Sequence, residues 1–126
     1  MSYRTDRQRV RGLGTAHEGT SHWWSQRLTS LALVPLTFFF LFPFARALGS
    51  DWETVIELYS TPLHAIMAIL FLAVGFRHLQ QGLQVVIEDY VHREGVRVAS
   101  LAALTLVAVA LAVACIVAVL KVMLGS

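Results

Sequence analysis

The sequence predicts an all-α membrane protein in which three transmembrane helices form part of a multi-subunit helix bundle. Of the 126 residues, 56% are hydrophobic and 14% are charged, and the mean hydropathy is +0.63. Such a composition is too apolar for an ordinary soluble domain. Three apolar stretches, at about residues 28–48, 63–87 and 96–122, each reach the roughly 20 residues that a helix needs to cross a bilayer. Little chain remains outside them, so we expect no soluble catalytic domain.

The first 20 residues are predicted to form a basic N-terminal arm, followed by a membrane domain over residues 21–126. The arm holds four arginines, namely Arg4, Arg7, Arg9 and Arg11. The first apolar run begins too far along the chain, and is too long, for a signal peptide, so we expect it to be retained as an anchor. Basic arms also bind nucleic acids. Ahead of three spans a topology signal or a docking arm is favoured, and no nucleic-acid partner is expected.

Charge is distributed unequally between the two ends of the predicted helices. The first inter-helix loop, Gly49–Thr61, contains acidic residues and no Lys or Arg, whereas the second turn adds Arg93 and Arg97 to the side of the basic arm. By the positive-inside rule, the N-terminus is expected in the cytoplasm and the C-terminus outside.

The first apolar stretch has an anchored start and two residues that bend helices. Trp23 and Trp24 precede it and fit an anchor at the membrane–water interface. Pro35 and Pro43 lie within it, so a kink is expected. The run Phe38-Phe39-Phe40 is expected to face lipid.

The second and third apolar stretches are predicted to be antiparallel neighbours, because the turn between them is short. Thr61 is a suitable N-cap for the second helix, and Pro62 suits its first position. Small residues recur every four positions in the third stretch, at Ala110, Ala114 and Ala118. Another helix can pack closely against such a face. The single cysteine, Cys115, excludes a disulfide or a thiolate cluster within the chain and is interpreted as a packing residue.

The second stretch carries many polar groups for a membrane helix, where such groups are costly and usually mark a site or a partner contact. At 100° per residue, one face of this helix presents His78, Gly82, Val85 and Asp89. Gly82 lies one turn from His78 and leaves room for a flat group against the backbone. A histidine above such a notch suits an axial haem ligand. The alternative is a histidine that is hydrogen-bonded across the bundle.

His64 lies near the same face but cannot supply an opposing axial ligand. It is roughly 21 Å from His78 along one helix, whereas two axial ligands approach an iron from opposite sides, about 4 Å apart. A second ligand would therefore come from another chain, or the iron would be five-coordinate. This requirement favours a function within a complex.

Further polar residues lie at the cytoplasmic end and in the middle of the second stretch. The Tyr90 hydroxyl could hydrogen-bond a quinone carbonyl while the Asp89 carboxylate tunes or relays a proton; the alternative is an interfacial tyrosine beside a solvated aspartate. Arg77 cannot easily stay unpaired in hydrocarbon, so it is expected to snorkel, to pair with a partner carboxylate or to meet a haem propionate. Bridges to other helices or chains are favoured for the glutamines, Gln80, Gln81 and Gln84.

Two motifs together resemble the small membrane-anchor protein of succinate dehydrogenase, respiratory complex II. The second helix combines His78-x3-Gly82 with Gln84-Val85-Val86 and Asp89-Tyr90-Val91-His92. The segment at the start of the first helix reads Ser21-His22-Trp23-Trp24-Ser25-Gln26-Arg27-Leu28-Thr29. The resemblance covers about residues 17–122 and includes the three-span layout with a cytoplasmic N-terminus.

The resemblance implies roles for individual residues. It implies that His78 is an axial ligand of haem b, with the other histidine supplied by the large membrane-anchor subunit of the complex. It implies that Tyr90 hydrogen-bonds ubiquinone near the iron–sulfur subunit, that Asp89 supports this site, and that Arg27 lies near a haem propionate. Arg77 departs from the family, which has an uncharged residue before the ligand histidine. Our own hypothesis for it is a haem propionate or an inter-subunit pair.

The resemblance also implies partners and a location. The chain would anchor the iron–sulfur and flavoprotein subunits of succinate:ubiquinone oxidoreductase at a bacterial inner membrane, without being catalytic alone. Succinate oxidation needs a flavin and iron–sulfur clusters, and this sequence has neither a glycine-rich nucleotide motif nor a cysteine set. Three alternatives stay open: an anchor of a quinol:fumarate reductase, a haem-free structural anchor, and a small transporter component with a proton path along Arg77, His78 and Asp89.

Overall fold

The computed structural model describes residues 18–125, with side chains from residue 20 onward. This part of the chain folds into four helices: α1 (Glu18–Ala47), α2 (Trp52–Ser60), α3 (Pro62–Tyr90) and α4 (Glu94–Leu124). The three long helices have 30, 29 and 31 residues, which gives each a length of about 45 Å. All three are long and apolar enough to cross a membrane. The prediction of an all-α protein with three spans is confirmed.

The first helix begins earlier than the apolar stretch that predicted it. That stretch starts near residue 28, whereas α1 already begins at Glu18, because a helix can continue beyond the apolar residues that cover the hydrocarbon core. The predicted arm is therefore helical over its last residues, Glu18–Thr20, and the rest of it lies outside the described residues. The helix runs without interruption through Pro35 and Pro43. It ends before Gly49, whose φ of 79° is readily adopted only by glycine.

The short helix α2 was predicted as a loop. Asp51 starts it as an N-cap, with its Oδ1 accepting a hydrogen bond from the Thr54 backbone N–H at 3.0 Å. At the other end, the imidazole Nδ1 of His64 lies 3.0 Å from the Leu58 carbonyl oxygen and joins α2 to α3. Pro62 begins α3 as predicted, and Thr61 precedes it as the N-cap residue. The prediction of Thr61 as the N-cap residue is therefore confirmed, although its side chain makes no capping hydrogen bond.

The three long helices lie in a row with α3 in the middle. Helix α3 packs against α1 on one side and α4 on the other, and within residues 18–125 α1 and α4 do not contact each other. Few side chains are buried in such an open arrangement, and within the described residues they are Pro43, Ala65, Ala68, Gln81 and Ala108. The row leaves two broad apolar faces for lipid or for further helices, as expected for part of a larger bundle.

The contacts between α1 and α3 follow one antiparallel register along the helices. At the end nearest α2, the Phe40 and Phe71 rings stack with their centroids 4.4 Å apart and an interplanar angle of 9°. Towards the middle, Leu33 packs beside Gly75. Phe38 and Phe39 are exposed, as predicted for lipid-facing residues, but the interpretation of Phe40 as lipid-facing is wrong. It supports the register that brings polar residues of the two helices together.

Helix α4 packs on α3 through a face other than the one that carries its recurring small residues, and close packing of another helix on that second face stays a prediction. Ala108 is buried there, and Thr105 accepts a hydrogen bond from the Gln80 side-chain amide at 3.4 Å. The small residues that recur every four positions are exposed instead, namely Ala110, Ala114 and Ala118. They lie about 200°, 240° and 280° around the helix from Ala108, so they do not form the contact with α3. Cys115 is half-buried, which agrees with a packing role.

Candidate functional site

His78 lies in the middle of α3 and faces α1. Its Nδ1 is 3.0 Å from the Thr29 hydroxyl oxygen. Its Nε2 is 3.5 Å from the side-chain amide nitrogen of Gln26. The ring is half-buried between the two helices. In this arrangement the imidazole is hydrogen-bonded across the bundle, as one of the two sequence interpretations expected, and one ring nitrogen is held more closely than the other.

Gly82 lies close to the Gln26 amide nitrogen that faces His78 Nε2. A Cβ added to Gly82 would have the Gln26 amide nitrogen as its nearest neighbour, 3.9 Å away. The Gln26 amide therefore fills the space between His78 Nε2 and the Gly82 backbone. Its carbonyl oxygen, Oε1, is buried and has no hydrogen-bond partner, and such a group favours an environment that offers it a donor. A flexible side chain therefore occupies the space beside Gly82, where the sequence predicts a notch for a flat group.

A polar groove runs beside this notch, between the N-terminal part of α1 and the C-terminal half of α3. Its volume is about 680 Å³, and its lining includes His22, Ser25, Arg77, Gln81, Gln84 and Glu88. Gln81 is fully buried, donates from its amide to the Ser25 hydroxyl at 2.7 Å, and has an unpaired carbonyl oxygen. The Nε2 atom of His22 is also buried without a partner. Unpaired buried polar atoms in a groove of this size favour water or a polar ligand.

The three glutamines of α3 make different contacts. Gln81 and Gln80 reach the neighbouring helices, to Ser25 on α1 and Thr105 on α4, so the prediction of inter-helix bridges is confirmed for them. Gln84 instead donates to the Glu88 carboxylate of its own helix at 2.8 Å.

Arg77 lies next to His78 in the chain but points along a different side of α3. Its guanidinium donates a hydrogen bond to the Gln80 side-chain oxygen, and the residue lines both the polar groove and a pocket towards α4. Among the described side chains, residues 20–125, no carboxylate pairs with it. A membrane helix therefore presents an unneutralised cation near its middle, where an anionic partner would stabilise it.

The other predicted site residues lie away from His78. Asp89 and Tyr90 are exposed in the last turn of α3, with 80% of the Tyr90 surface accessible. Arg27 lies on the outward side of α1, where its guanidinium carbon is 4.8 Å from the centre of the Trp23 ring. His64 is at the opposite end of α3, against α2. The chain therefore brings together His78 and Gly82, and leaves Arg27, Asp89 and Tyr90 facing outward.

Sequence reasoning missed the residues of α1 that contact His78. Gln26 and Thr29 make these contacts. They are three positions apart, and His22 lies one turn before Gln26, so all three share one face of a helix. That periodicity was visible in the sequence, but it did not identify which face of α3 it would meet. The antiparallel register of α1 and α3 supplies this pairing.

Known proteins resemble the chain over most of its length. Residues 1–119 match the family of succinate dehydrogenase/fumarate reductase transmembrane subunits. A succinate dehydrogenase hydrophobic membrane anchor subunit of Paracoccus denitrificans is 39% identical over 90 residues, covering 71% of this chain and 70% of that protein. The corresponding subunit of Rickettsia bellii (strain RML369-C) is 30% identical over 117 residues, covering 93% and 94%.

A relative of lower identity has a similar description. The succinate dehydrogenase membrane anchor subunit of Reclinomonas americana is 28% identical over 94 residues, covering 72% of this chain and 78% of that protein. No solved structure matches the chain. The family match, the three membrane-length helices and the motifs of α1 and α3 agree, and the chain belongs to the family of succinate dehydrogenase/fumarate reductase transmembrane subunits.

Proposed function

We propose that this chain anchors a succinate:ubiquinone oxidoreductase, provides one axial ligand of haem b and forms part of the site where ubiquinone is reduced. Membership of a family of membrane anchor subunits supports the first role. The observation that carries the second is the position of His78 Nε2 beside the Gly82 notch.

The residues around His78 fit the edge of a flat cofactor. Gly82 has no side chain, and the neighbouring space is filled only by the Gln26 amide, whose contact with His78 Nε2 is long at 3.5 Å. A hydrogen bond of that length is weak, and Gln26 carries an unpaired buried oxygen. The amide can therefore move aside at small cost and leave the Nε2 lone pair free for iron.

When bound, haem b supplies one-electron redox chemistry through its iron. His78 would hold one axial position, and the large membrane-anchor subunit would supply the histidine on the other side. Arg77 would pair with a propionate or with a carboxylate of a partner, which is consistent with its lack of a carboxylate partner among the described side chains, residues 20–125. Arg27 would meet a propionate only where haem or a partner reaches the outward side of α1.

Asp89 and Tyr90 suit the quinone end of the site. Reduction of ubiquinone to ubiquinol takes two electrons and two protons. The Tyr90 hydroxyl would donate a hydrogen bond to one quinone carbonyl oxygen, and the Asp89 carboxylate would help to deliver a proton there. Both side chains are exposed at the end of α3, so a partner surface is needed to enclose a quinone. The iron–sulfur subunit would provide it and would deliver the electrons.

The remaining assignments concern assembly and location. The chain would tether the flavoprotein and iron–sulfur subunits to a bacterial inner membrane, with its N-terminus in the cytoplasm and its C-terminus in the periplasm. The end of α3 that carries Asp89 and Tyr90 would then face the cytoplasm, where the soluble subunits dock. The same anchor chemistry serves a quinol:fumarate reductase that runs the reaction in reverse.

A reduced-minus-oxidised visible spectrum of the complex purified through this chain tests the haem assignment. We expect a b-type α band that is lost in His78→Ala and kept in His64→Ala. His64 is a matched control because it is also a half-buried histidine of α3, hydrogen-bonded to a backbone carbonyl. An α band that survives His78→Ala would remove His78 from the haem.

A haem-free structural anchor is the second candidate, and the hydrogen bond between His78 and Thr29 favours it. In that case His78 joins α1 to α3 and binds no metal. The spectrum distinguishes the two: a complex that retains its partners and shows no b-type band supports the structural role.

A further inference from the structure

We infer that Thr29 is a positioning residue for His78: its hydroxyl oxygen accepts a hydrogen bond from His78 Nδ1–H and thereby leaves the Nε2 lone pair directed at the Gly82 notch. This inference rests on the proposed haem-binding function. It assigns different roles to the two residues of α1 that contact the imidazole. Thr29 orients the imidazole ring, whereas Gln26 only occupies the space that haem would take.

The hydrogen-bond partners of Thr29 determine the direction of this bond. The Thr29 hydroxyl oxygen is 2.9 Å from the Ser25 carbonyl oxygen and 3.0 Å from the Gln26 carbonyl oxygen. A hydroxyl has one hydrogen and two lone pairs, and a threonine within a helix commonly donates to the carbonyl of the preceding turn. With its hydrogen directed at these carbonyls, Thr29 offers His78 only lone pairs. The hydrogen in the 3.0 Å contact therefore belongs to His78 Nδ1.

The tautomer follows from that assignment. A neutral imidazole carries one N–H, so a protonated Nδ1 leaves Nε2 as an acceptor. The group facing Nε2 is the Gln26 amide nitrogen, which is a donor. The same tautomer therefore satisfies both neighbours. It is also the form that a metal requires when it binds Nε2.

The Thr29 contact would act on bound iron through the ring. When one nitrogen of an imidazole binds a metal, a hydrogen-bond acceptor for the other ring N–H fixes the ring orientation and raises the basicity of the metal-binding nitrogen. A more basic ligand stabilises the oxidised, more positive iron. Loss of the Thr29 acceptor should therefore weaken haem retention and shift the midpoint potential in the positive direction.

The test compares Thr29→Val with Thr29→Ser in the complex purified through this chain. Valine keeps the shape of threonine without an acceptor, whereas serine keeps the hydroxyl. Each complex is mixed with an excess of a haem-free haem-binding protein, and the transfer of haem is measured. We expect Thr29→Val to retain haem about 10–100-fold less well than the wild type, the range for loss of the hydrogen-bond partner of a metal-ligating histidine. Its residual haem should have a more positive midpoint potential, and Thr29→Ser should restore both properties.

Thr37→Val is the matched control. Thr37 lies on the same helix, donates its hydroxyl to the Leu33 carbonyl oxygen at 2.6 Å, and is exposed. It therefore loses the same type of backbone contact on substitution, without a histidine partner. Haem transfer and potential should stay at the wild-type values. If Thr29→Val does not assemble, haem retention and midpoint potential are measured in Thr29→Ala instead, because alanine is smaller and favours helix.

Gln26→Ala separates the two contacts of the imidazole. Removal of Gln26 empties the notch without touching His78 Nδ1, so haem retention should equal or exceed that of the wild type. The inference is overturned if Thr29→Val matches the wild type in haem transfer and potential while His78→Ala lacks the α band. A wild-type complex without a b-type band overturns the haem assignment itself, and the role of Thr29 with it.

Discussion

Gly82 is the residue at which a haem-bearing and a haem-free site differ most clearly. In the chain itself an alanine fits: its Cβ would lie 3.9 Å from the Gln26 amide nitrogen, an ordinary contact with a flexible group. Within a helix, alanine is favoured over glycine by about 1 kcal/mol. The packing of α1 on α3 therefore does not require a glycine at position 82. A flat ligand lying against the backbone would require one.

We expect Gly82→Ala to preserve assembly and to reduce haem occupancy, because the methyl group would enter the space beside His78 Nε2. Gly75→Ala is the control, since Gly75 is also a helical glycine of α3 that faces α1, with Leu33 at 3.9 Å from an added Cβ. Pyridine haemochrome analysis per mole of chain measures the occupancy. Equal haem content in both variants would show that Gly82 provides no clearance.

Tyr90 offers a second test at the residue scale. The variant Tyr90→Phe removes only the hydroxyl of a side chain that is 80% exposed, so we expect assembly and haem content to stay unchanged. Quinone reduction should fall, because the hydrogen bond to the quinone carbonyl is lost. Succinate-driven reduction of a soluble ubiquinone analogue measures this, with succinate oxidation by an artificial acceptor as the control. Wild-type quinone turnover would remove Tyr90 from the site.

At the scale of the elements, α2 depends on a charged cap. The pKa of Asp51 is held below its ordinary value of 3.8, first by a hydrogen bond from the Thr54 hydroxyl and then by one from the Thr54 backbone N–H. The folded helix thus prefers the carboxylate. The contribution of the ionised Asp51 side chain to the stability of α2 is fully present above the ordinary pKa. It is lost as the pH falls through the lowered pKa of Asp51 in the folded helix.

We therefore expect α2 to open at acidic pH while the three spans stay folded. Hydrogen exchange at the Thr54 and Val55 amides, corrected for the intrinsic effect of pH, would report this opening in lipid nanodiscs. Asp51→Ala should increase exchange already at neutral pH. Asp51→Asn keeps an N-cap side chain without a titrating group. Hydrogen exchange in this variant should therefore show no increase at acidic pH. Protection that is independent of pH in the native chain would contradict the role of the Asp51 charge.

The pairing of α1 with α3 is the element-scale feature that forms the site. It is fixed at one end by the Phe40–Phe71 stack and at the other by the Ser25–Gln81 hydrogen bond. Hydrogen bonds between membrane helices contribute roughly 0.6–2 kcal/mol each, so the polar contacts near His78 add stability as well as register. The site is therefore built between two helices rather than on α3 alone.

At the scale of the whole molecule, the row of helices leaves most of its apolar surface uncovered. Within the described residues only Pro43, Ala65, Ala68, Gln81 and Ala108 are buried. An uncovered apolar face can meet lipid. The Arg77 guanidinium, which has no carboxylate partner among the described side chains, and the polar groove require a polar neighbour. These features agree with a membrane anchor that completes its bundle with other chains.

Orientation in the membrane is the prediction that belongs to this scale. In a Cys115→Ala background, we expect a membrane-impermeant maleimide applied to spheroplasts to label Glu53→Cys and not Glu94→Cys. Both positions are exposed, at the starts of α2 and α4 respectively. Labelling after membrane disruption provides the control for reactivity at Glu94→Cys. The reverse pattern would place the N-terminus outside and contradict the positive-inside prediction.

The sequence by itself determined the class of fold, the number of spans and the position of the polar face on α3. Runs of apolar residues long enough for the hydrocarbon core require helices, because the backbone must satisfy its own hydrogen bonds there. The spacing of His78 and Gly82 placed both residues on one face of α3 from helical periodicity alone, and the use of this face as a notch for a flat group stays a prediction. Side-chain chemistry at fixed positions along one helix needs no knowledge of its neighbours.

The tertiary structure decided which helix faces that notch and what fills it. Hydropathy is nearly uniform around a membrane helix, so it did not indicate that Phe40 faces α3 or that Ala110 and Ala114 face outward. Only the register of α1 against α3 placed Thr29 and Gln26 on the two nitrogens of His78. Such contacts depend on packing between residues far apart in the chain, which no local pattern in either helix specifies.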